Sequence, residues 1–308
     1  MDAPTQGIIE PPPPRRYLPF EAGPWRMAMG LVAAPISALF EIDSDYAGQM
    51  ALRRRLLAER HAEVFAALPE SGPARRAMLD LAAAHLPEHY PQWFAGAGER
   101  LSNRLTGEEW DLAAPPCDPL ELAGRLVQED LCLLEPDPAG PRLTAAVLCF
   151  PTRWRLGEKL GRPIGAIHAP VPFFAERLGA PVERFMALLK PGRLVERFNW
   201  SILDDPALFQ PGGHGRTAHD PAFTAGNAGE KLWLRVERQT LSRLPGTTAI
   251  LFTIKILERP VAAVAADAAV AGRLAEAVRA LPEETMRYKS LLPFRAALLG
   301  FLDSRAAA

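Results

Sequence analysis

The chain is short of cysteine. Cys117, Cys132 and Cys149 are the only three in 308 residues. They are too few and too widely spaced for a disulfide framework, or for a four-thiolate zinc or iron–sulfur site within one chain. A reducing compartment suits that usage. Net charge is lacking as well: 35 basic residues stand against 36 acidic ones, and a formal charge of −1 gives no field to steer the protein onto nucleic acid or an anionic membrane. There is no glycine-rich dinucleotide fingerprint. The most apolar early segment, Met27 to Phe40, is too short to span a bilayer and contains Gly30 and Pro35. The N-terminus, "MDAPTQGIIEPPPPRRYLPF", has its basic pair behind a proline run and no apolar stretch after it, which is not the pattern of a signal peptide. Residues 1–16 are therefore expected to form a disordered arm on a cytoplasmic protein.

What is present is a core. With 48% hydrophobic residues, the chain can bury a substantial interior. Helical spacing of Met50, Leu52, Leu56 and Leu57 predicts an amphipathic helix over 47–68. A second helix is expected from Ser71, as its N-cap, to a stop before Pro87, which makes residues 17–117 mainly helical. The pattern then changes. "EDLCLLEPDPAGPRLTAAVLCF" predicts a hairpin of strands at about 129–135 and 142–150, followed by short helices near Leu156 and over 172–189. "RLVERFNWSIL" alternates with period two and predicts a strand. A long glycine- and proline-rich loop follows, then a second hairpin, "KLWLRVERQTL" and "TTAILFTIKIL". Residues 261–308 read as helices, whose charges Asp267, Arg273 and Glu276 exclude a membrane span. The expected class is α+β, with a core over 118–260: an antiparallel sheet whose single helical crossover leaves a cavity for a small molecule.

The longer motifs are more specific. "RYLPFEAGPWRMAMGL", "NRLTGEEWDL", "DPLELAGRLVQEDLCLL", "FPTRWRLGEKLGRPIGAIHAPVPFF", "ERFNWSILDDPALFQP" and "LWLRVERQTLSRLP" together resemble the haem-dependent oxidative N-demethylase alpha-subunit-like family, from about Tyr17 to Leu302. The resemblance implies a haem b-binding core of the Per-ARNT-Sim (PAS) type. It also implies an activity: oxidative demethylation of a small secondary amine such as dimethylamine with dioxygen, giving a primary amine and formaldehyde. Electrons would come from NADPH through separate flavin and iron–sulfur reductase subunits. A chain without a dinucleotide motif or a cysteine cluster cannot collect those electrons alone. A haem-binding gas sensor or carrier without turnover is the alternative, since a fold does not determine function.

His168 stands among isoleucines, prolines and phenylalanines. Read from its neighbours alone, it is a core histidine bonded to a carbonyl. The resemblance makes it the proximal iron ligand, with Ile167, Phe173 and Phe174 as apolar walls for the porphyrin. His214 and His219, on the long loop, compete for that role. In "LWLRVERQ", alternation puts Arg235, Glu237 and Gln239 on one strand face. A carboxylate there could hold an ammonium substrate and accept its proton, with Arg235 first, and Arg197 second, as the polarising cation. The competing reading is a cross-strand ion pair of Glu237 with Lys255 on an outer sheet surface. The adjacent acids Glu108, Glu109 and Asp111 read as a solvated turn.

Overall fold

The structure, a computed structural model, describes residues 9–307. Ten strands form two sheets. The strands are β1 (Val32–Ala34), β2 (Phe65–Ala67), β3 (Phe94–Ala97), β4 (Arg100–Asn103), β5 (Glu108–Asp111), β6 (Asp130–Glu135), β7 (Arg142–Val147), β8 (Leu194–Leu203), β9 (Trp233–Arg243) and β10 (Ile250–Pro260). The large sheet is antiparallel in the order β1-β8-β9-β10-β6-β7-β2, and β3, β4 and β5 make a small sheet of their own.

Both expected hairpins are present. The crossover between β7 and β8 carries a short helix at Ile164–Ile167, a π-helical turn at Ala175–Gly179 and a helix at Ala180–Leu188. The chain returns as β8, and β10 then closes the sheet against β6. One end of β6 is fastened by a buried ion pair: Asp130 accepts from the Cys149 and Phe150 amides at 2.8 Å and meets Arg53 at 3.0 Å.

The N-terminal part differs from its helical expectation. The first helix stops at Glu59, and after one more turn Phe65–Ala67 pairs with β7 as an edge strand. One phenylalanine and two alanines on an open edge fit a short strand as well as a helix, so propensity did not separate them. The second helix, Gly72–His89, continues through Pro87. Glu108 and Asp111 lie on β5, where Glu108 pairs with Arg54 at 2.9 Å. Residues 9–16 are not a free arm. Trp93 donates to the Ile9 carbonyl at 2.6 Å, the Ser44 amide to Pro12 at 2.8 Å and Arg259 to Pro14 at 3.1 Å. The first eight residues of that expected arm lie outside the described residues.

Two apolar cores bracket the sheet. One joins the N-terminal helices to β6, β7 and β10; the other packs the helices Ala268–Ala280 and Arg295–Ala306 on Ile202, Leu234, Val236 and Leu257. Period-two alternation then leaves the other face of β8 and β9 to a row of polar side chains.

Candidate functional site

Strand register builds this row. Asn199 pairs with Glu237 and Arg197 with Gln239, so four polar side chains sit side by side. Ile256 and Ile254 continue the same face on β10. Glu237 is 8% exposed and takes three donors: Thr152 Oγ1 on Oε1, and Asn199 Nδ2 at 3.2 Å and Gln239 Nε2 at 2.8 Å on Oε2. A carboxylate has about four lone-pair positions, so one acceptor site is left. Arg197 donates to the Met29 carbonyl at 2.8 Å and to Gln239 at 2.9 Å, and burial lowers its pKa.

The long loop brings a second chain segment onto this face. Its Gln210 is tied to residues 151–153, and Gly213 and Arg216 bond the Ser290 hydroxyl. That places Lys289 over the row, where Nζ donates to Asn199 Oδ1 at 3.0 Å, the Trp200 carbonyl at 2.6 Å and Ser201 Oγ at 3.3 Å. Burial pushes the Lys289 ammonium down to about 8; Glu237 opposes the drop and Arg197 adds to it. Burial, and secondly the Glu237 charge, raises the Tyr288 phenol to about 12. Neither residue stood out in the sequence, because both lie in a helix-end turn some fifty residues beyond β9. Only tertiary packing brings them here.

His168 lies on the crossover, close enough to Arg197 of the row to feel its charge. Its Nδ1 donates to the Ile164 carbonyl at 2.9 Å, and its ring stacks on Phe174 with centroids 4.5 Å apart. With Nδ1 protonated, the lone pair is on Nε2, which makes no hydrogen bond with the described residues. Burial lowers the His168 pKa against the Ile164 bond, and Lys159 and Arg197 lower it further, so the ring is neutral at pH 7. The segment around it is irregular. Phe173 has a φ of 64°, and the π-helical turn follows. Such distortions gather at functional sites. Phe174 is buried, whereas Phe173 and Ile167 are half-buried.

His214 repeats this arrangement, with Nδ1 3.0 Å from the Tyr288 carbonyl and its ring stacked on Tyr288, but it is exposed, as is His219. His61 is bound to Glu121, and the rings of His85 and His89 pack against each other at a tilt elsewhere.

Arg235 has a different place from the one expected. It is fully buried and saturated: Nε donates to Thr152 Oγ1, NH1 to Glu258 at 2.6 Å and NH2 to the Phe150 and Leu208 carbonyls at 2.8 and 2.9 Å. It clamps two loops and meets Glu237 only through Thr152. Arg197 is the arginine beside His168. The ion pair of Glu237 with Lys255 does not form. Lys255 pairs with Arg238 in the strand register, one residue out of step with Glu237, and its Nζ binds Asp43 at 2.6 Å on the opposite face.

Two cavities adjoin the row, and neither is lined by His168 or Glu237. A groove of about 870 Å³ runs between β1, the start of β8 and the helix Ala180–Leu188, and touches the row through Met29 and Val195. A pocket of about 390 Å³ lies under the long loop at Arg153 and Asp204.

Residues 30–299 match the family described as Haem-dependent oxidative N-demethylase, alpha subunit-like. The chain belongs to this family. For an N-demethylase alpha-like subunit, the family name implies haem. The donor chemistry at His168 fits: a porphyrin supplies four nitrogens itself, and what it needs from the protein is one neutral imidazole with its tautomer held and apolar neighbours. Among the described residues, no three His, Cys, Asp or Glu side chains converge as a metal site. No helix among them is long and apolar enough to cross a membrane.

Proposed function

We propose that the chain is the haem b-binding subunit of an oxidative N-demethylase, with His168 Nε2 as axial ligand and the Glu237 row as the amine site. The strand order β8-β9-β10-β6-β7, with one helical crossover between the two hairpins, supports a PAS-type scaffold. The observation that carries the reading is His168 Nε2: an imidazole nitrogen with its partner nitrogen pinned and no hydrogen bond to the described residues, on a buried ring close enough to Arg197 of the polar row to feel its charge.

Haem, when bound, supplies the activation of dioxygen and the oxidation of the amine. The protein supplies placement and charge. Glu237 offers its remaining lone-pair site to an alkylammonium N–H, while Thr152, Asn199 and Gln239 hold the carboxylate in one orientation. On loss of that proton, Glu237 is the acceptor within reach. Arg197 and Lys289 put two cations beside the row and favour developing negative charge there. Overall, dimethylamine, dioxygen, two electrons and two protons give methylamine, formaldehyde and water. The electrons come from separate flavin and iron–sulfur reductase subunits drawing on NADPH, because the chain has neither motif.

The test is the ultraviolet–visible spectrum of protein supplied with haem. A Soret band that is lost or moved in His168→Ala and kept in His214→Ala supports the assignment; the reverse pattern transfers it to the loop. Amine-dependent oxygen consumption with a supplied electron donor separates an enzyme from a gas sensor or carrier.

A further inference from the structure

Arg153 has an unusual setting. It follows Thr152, which binds Glu237, and its φ of 60° turns the side chain away from the row into the pocket under the loop. Left-handed backbone at a non-glycine residue costs roughly 1 kcal/mol or more and persists only where surrounding contacts hold it. Here the contacts are the Arg153 amide on the Gln210 carbonyl at 2.6 Å and the reciprocal Gln210 amide on Pro151 at 3.2 Å.

The guanidinium is nearly completely buried, at 4% side-chain exposure. Its NH2 binds Asp204, its Nε reaches Gln210 at 3.4 Å, and its NH1 is buried without a partner. An unpaired donor on a buried cation is expensive, so a ligand that accepts from it is expected. Arg216 lines the same pocket and shares Asp204, at 2.6 Å. Two guanidinium groups thus divide one carboxylate, and the buried Arg153 NH1 is still left without an acceptor. Asp205 also borders the pocket and its charge favours the Arg153 cation, but it is exposed, its Oδ1 accepts from the Ala207 amide at 2.8 Å, and it gives NH1 no hydrogen bond. Gly213 lines the pocket, and its φ of 104° suits a residue without a side chain. Phe209 gives an apolar wall.

We propose that this pocket binds a carboxylate, and that the carboxylate is a propionate of the haem held at His168. This rests on the haem reading above. A carboxylate oxygen supplies the acceptor that the buried NH1 lacks, and a planar guanidinium matches a planar carboxylate. The pocket adjoins the site on two sides: through Thr152 to Glu237, and at His214, whose ionisation Arg153 opposes.

The experiment titrates apoprotein with haem b and with haem dimethyl ester, whose propionates carry no charge. The Soret band and tryptophan quenching report binding to wild type, Arg153→Gln and Arg216→Gln. Wild type should prefer haem b by about tenfold or more, the size of a charge-assisted hydrogen bond. Arg153→Gln should abolish that preference while binding the ester as wild type does, and Arg216→Gln, on a half-exposed side chain, should reduce it. If Arg153→Gln does not fold, an undiminished preference in Arg216→Gln overturns the proposal. Equal weakening of both porphyrins in Arg153→Gln would assign Arg153 to loop structure and overturn it too. So would protection of the apoprotein by acetate that depends on Arg153 while the haem preference does not, since the ligand is then a free carboxylate. Wild type that binds neither porphyrin overturns the haem reading itself, before any variant is compared.

Discussion

Glu237 is held by three neutral donors and keeps one acceptor position, and that buried carboxylate oxygen is what an alkylammonium N–H would read. Glu237→Gln keeps the size and most of the hydrogen bonding but removes the charge. Amine affinity should fall by about 10- to 100-fold, corresponding to roughly 1.5–3 kcal/mol for a charge-assisted bond, with the Soret band unchanged. An amine titration followed at the Soret band measures this, and loss of haem together with amine would make Glu237 a structural residue. Half of this site was legible beforehand. His168 read from its neighbours alone is a carbonyl-bonded core histidine, and it was the family resemblance that made it and Glu237, on its alternating strand, candidates for the site. Arg235 and Arg197 look alike in sequence, since each sits on the polar face of a strand. Their difference is that Glu258 and the carbonyls of two loops meet Arg235, and no local pattern encodes that.

At the scale of elements, the hairpin β6-β7 carries the crossover that positions His168. Its packing is tightest at Gly124, at the end of the short helix Pro119–Gly124, where an added Cβ would stand 2.8 Å from Val147 Cγ1 and 3.1 Å from its Cβ. Val147 is fully buried and β-branched, so it cannot swing aside. Gly124→Ala should cost about 1–3 kcal/mol by overpacking and lower the thermal midpoint by a few degrees; a melting curve decides. A midpoint unchanged or raised would show that this contact relaxes freely. The long strands were legible because they run for ten or eleven residues with period two. The three-residue edge strands and the small sheet were not. Too few residues repeat in them for a period to show, and neighbours already folded decide their pairing.

For the molecule as a whole, stability carries a pH term from His85, which is buried between Phe40, His89 and Tyr90. Burial first, and the His89 charge second, depress its pKa to about 4. The unfolded chain takes up this proton near 6.5, so stability is fully present above pH 6.5 and is lost as pH falls toward 4. The loss amounts to about 3 kcal/mol, and His85→Gln should remove this part of the acid dependence. Urea unfolding at pH 7 and pH 4, wild type against variant, measures it; identical slopes would clear His85 of the effect. By itself the sequence determined the class of the fold, the two hairpins with their crossover and the family, and it named two candidates for the site, because each is written in spacing or in a contiguous motif. The tertiary structure decided which arginine faces the site, that Lys289 and Tyr288 join it, and that Arg153 turns into a pocket of its own. Those outcomes depend on contacts between segments far apart in the chain, where register and burial, rather than local pattern, determine which charges meet.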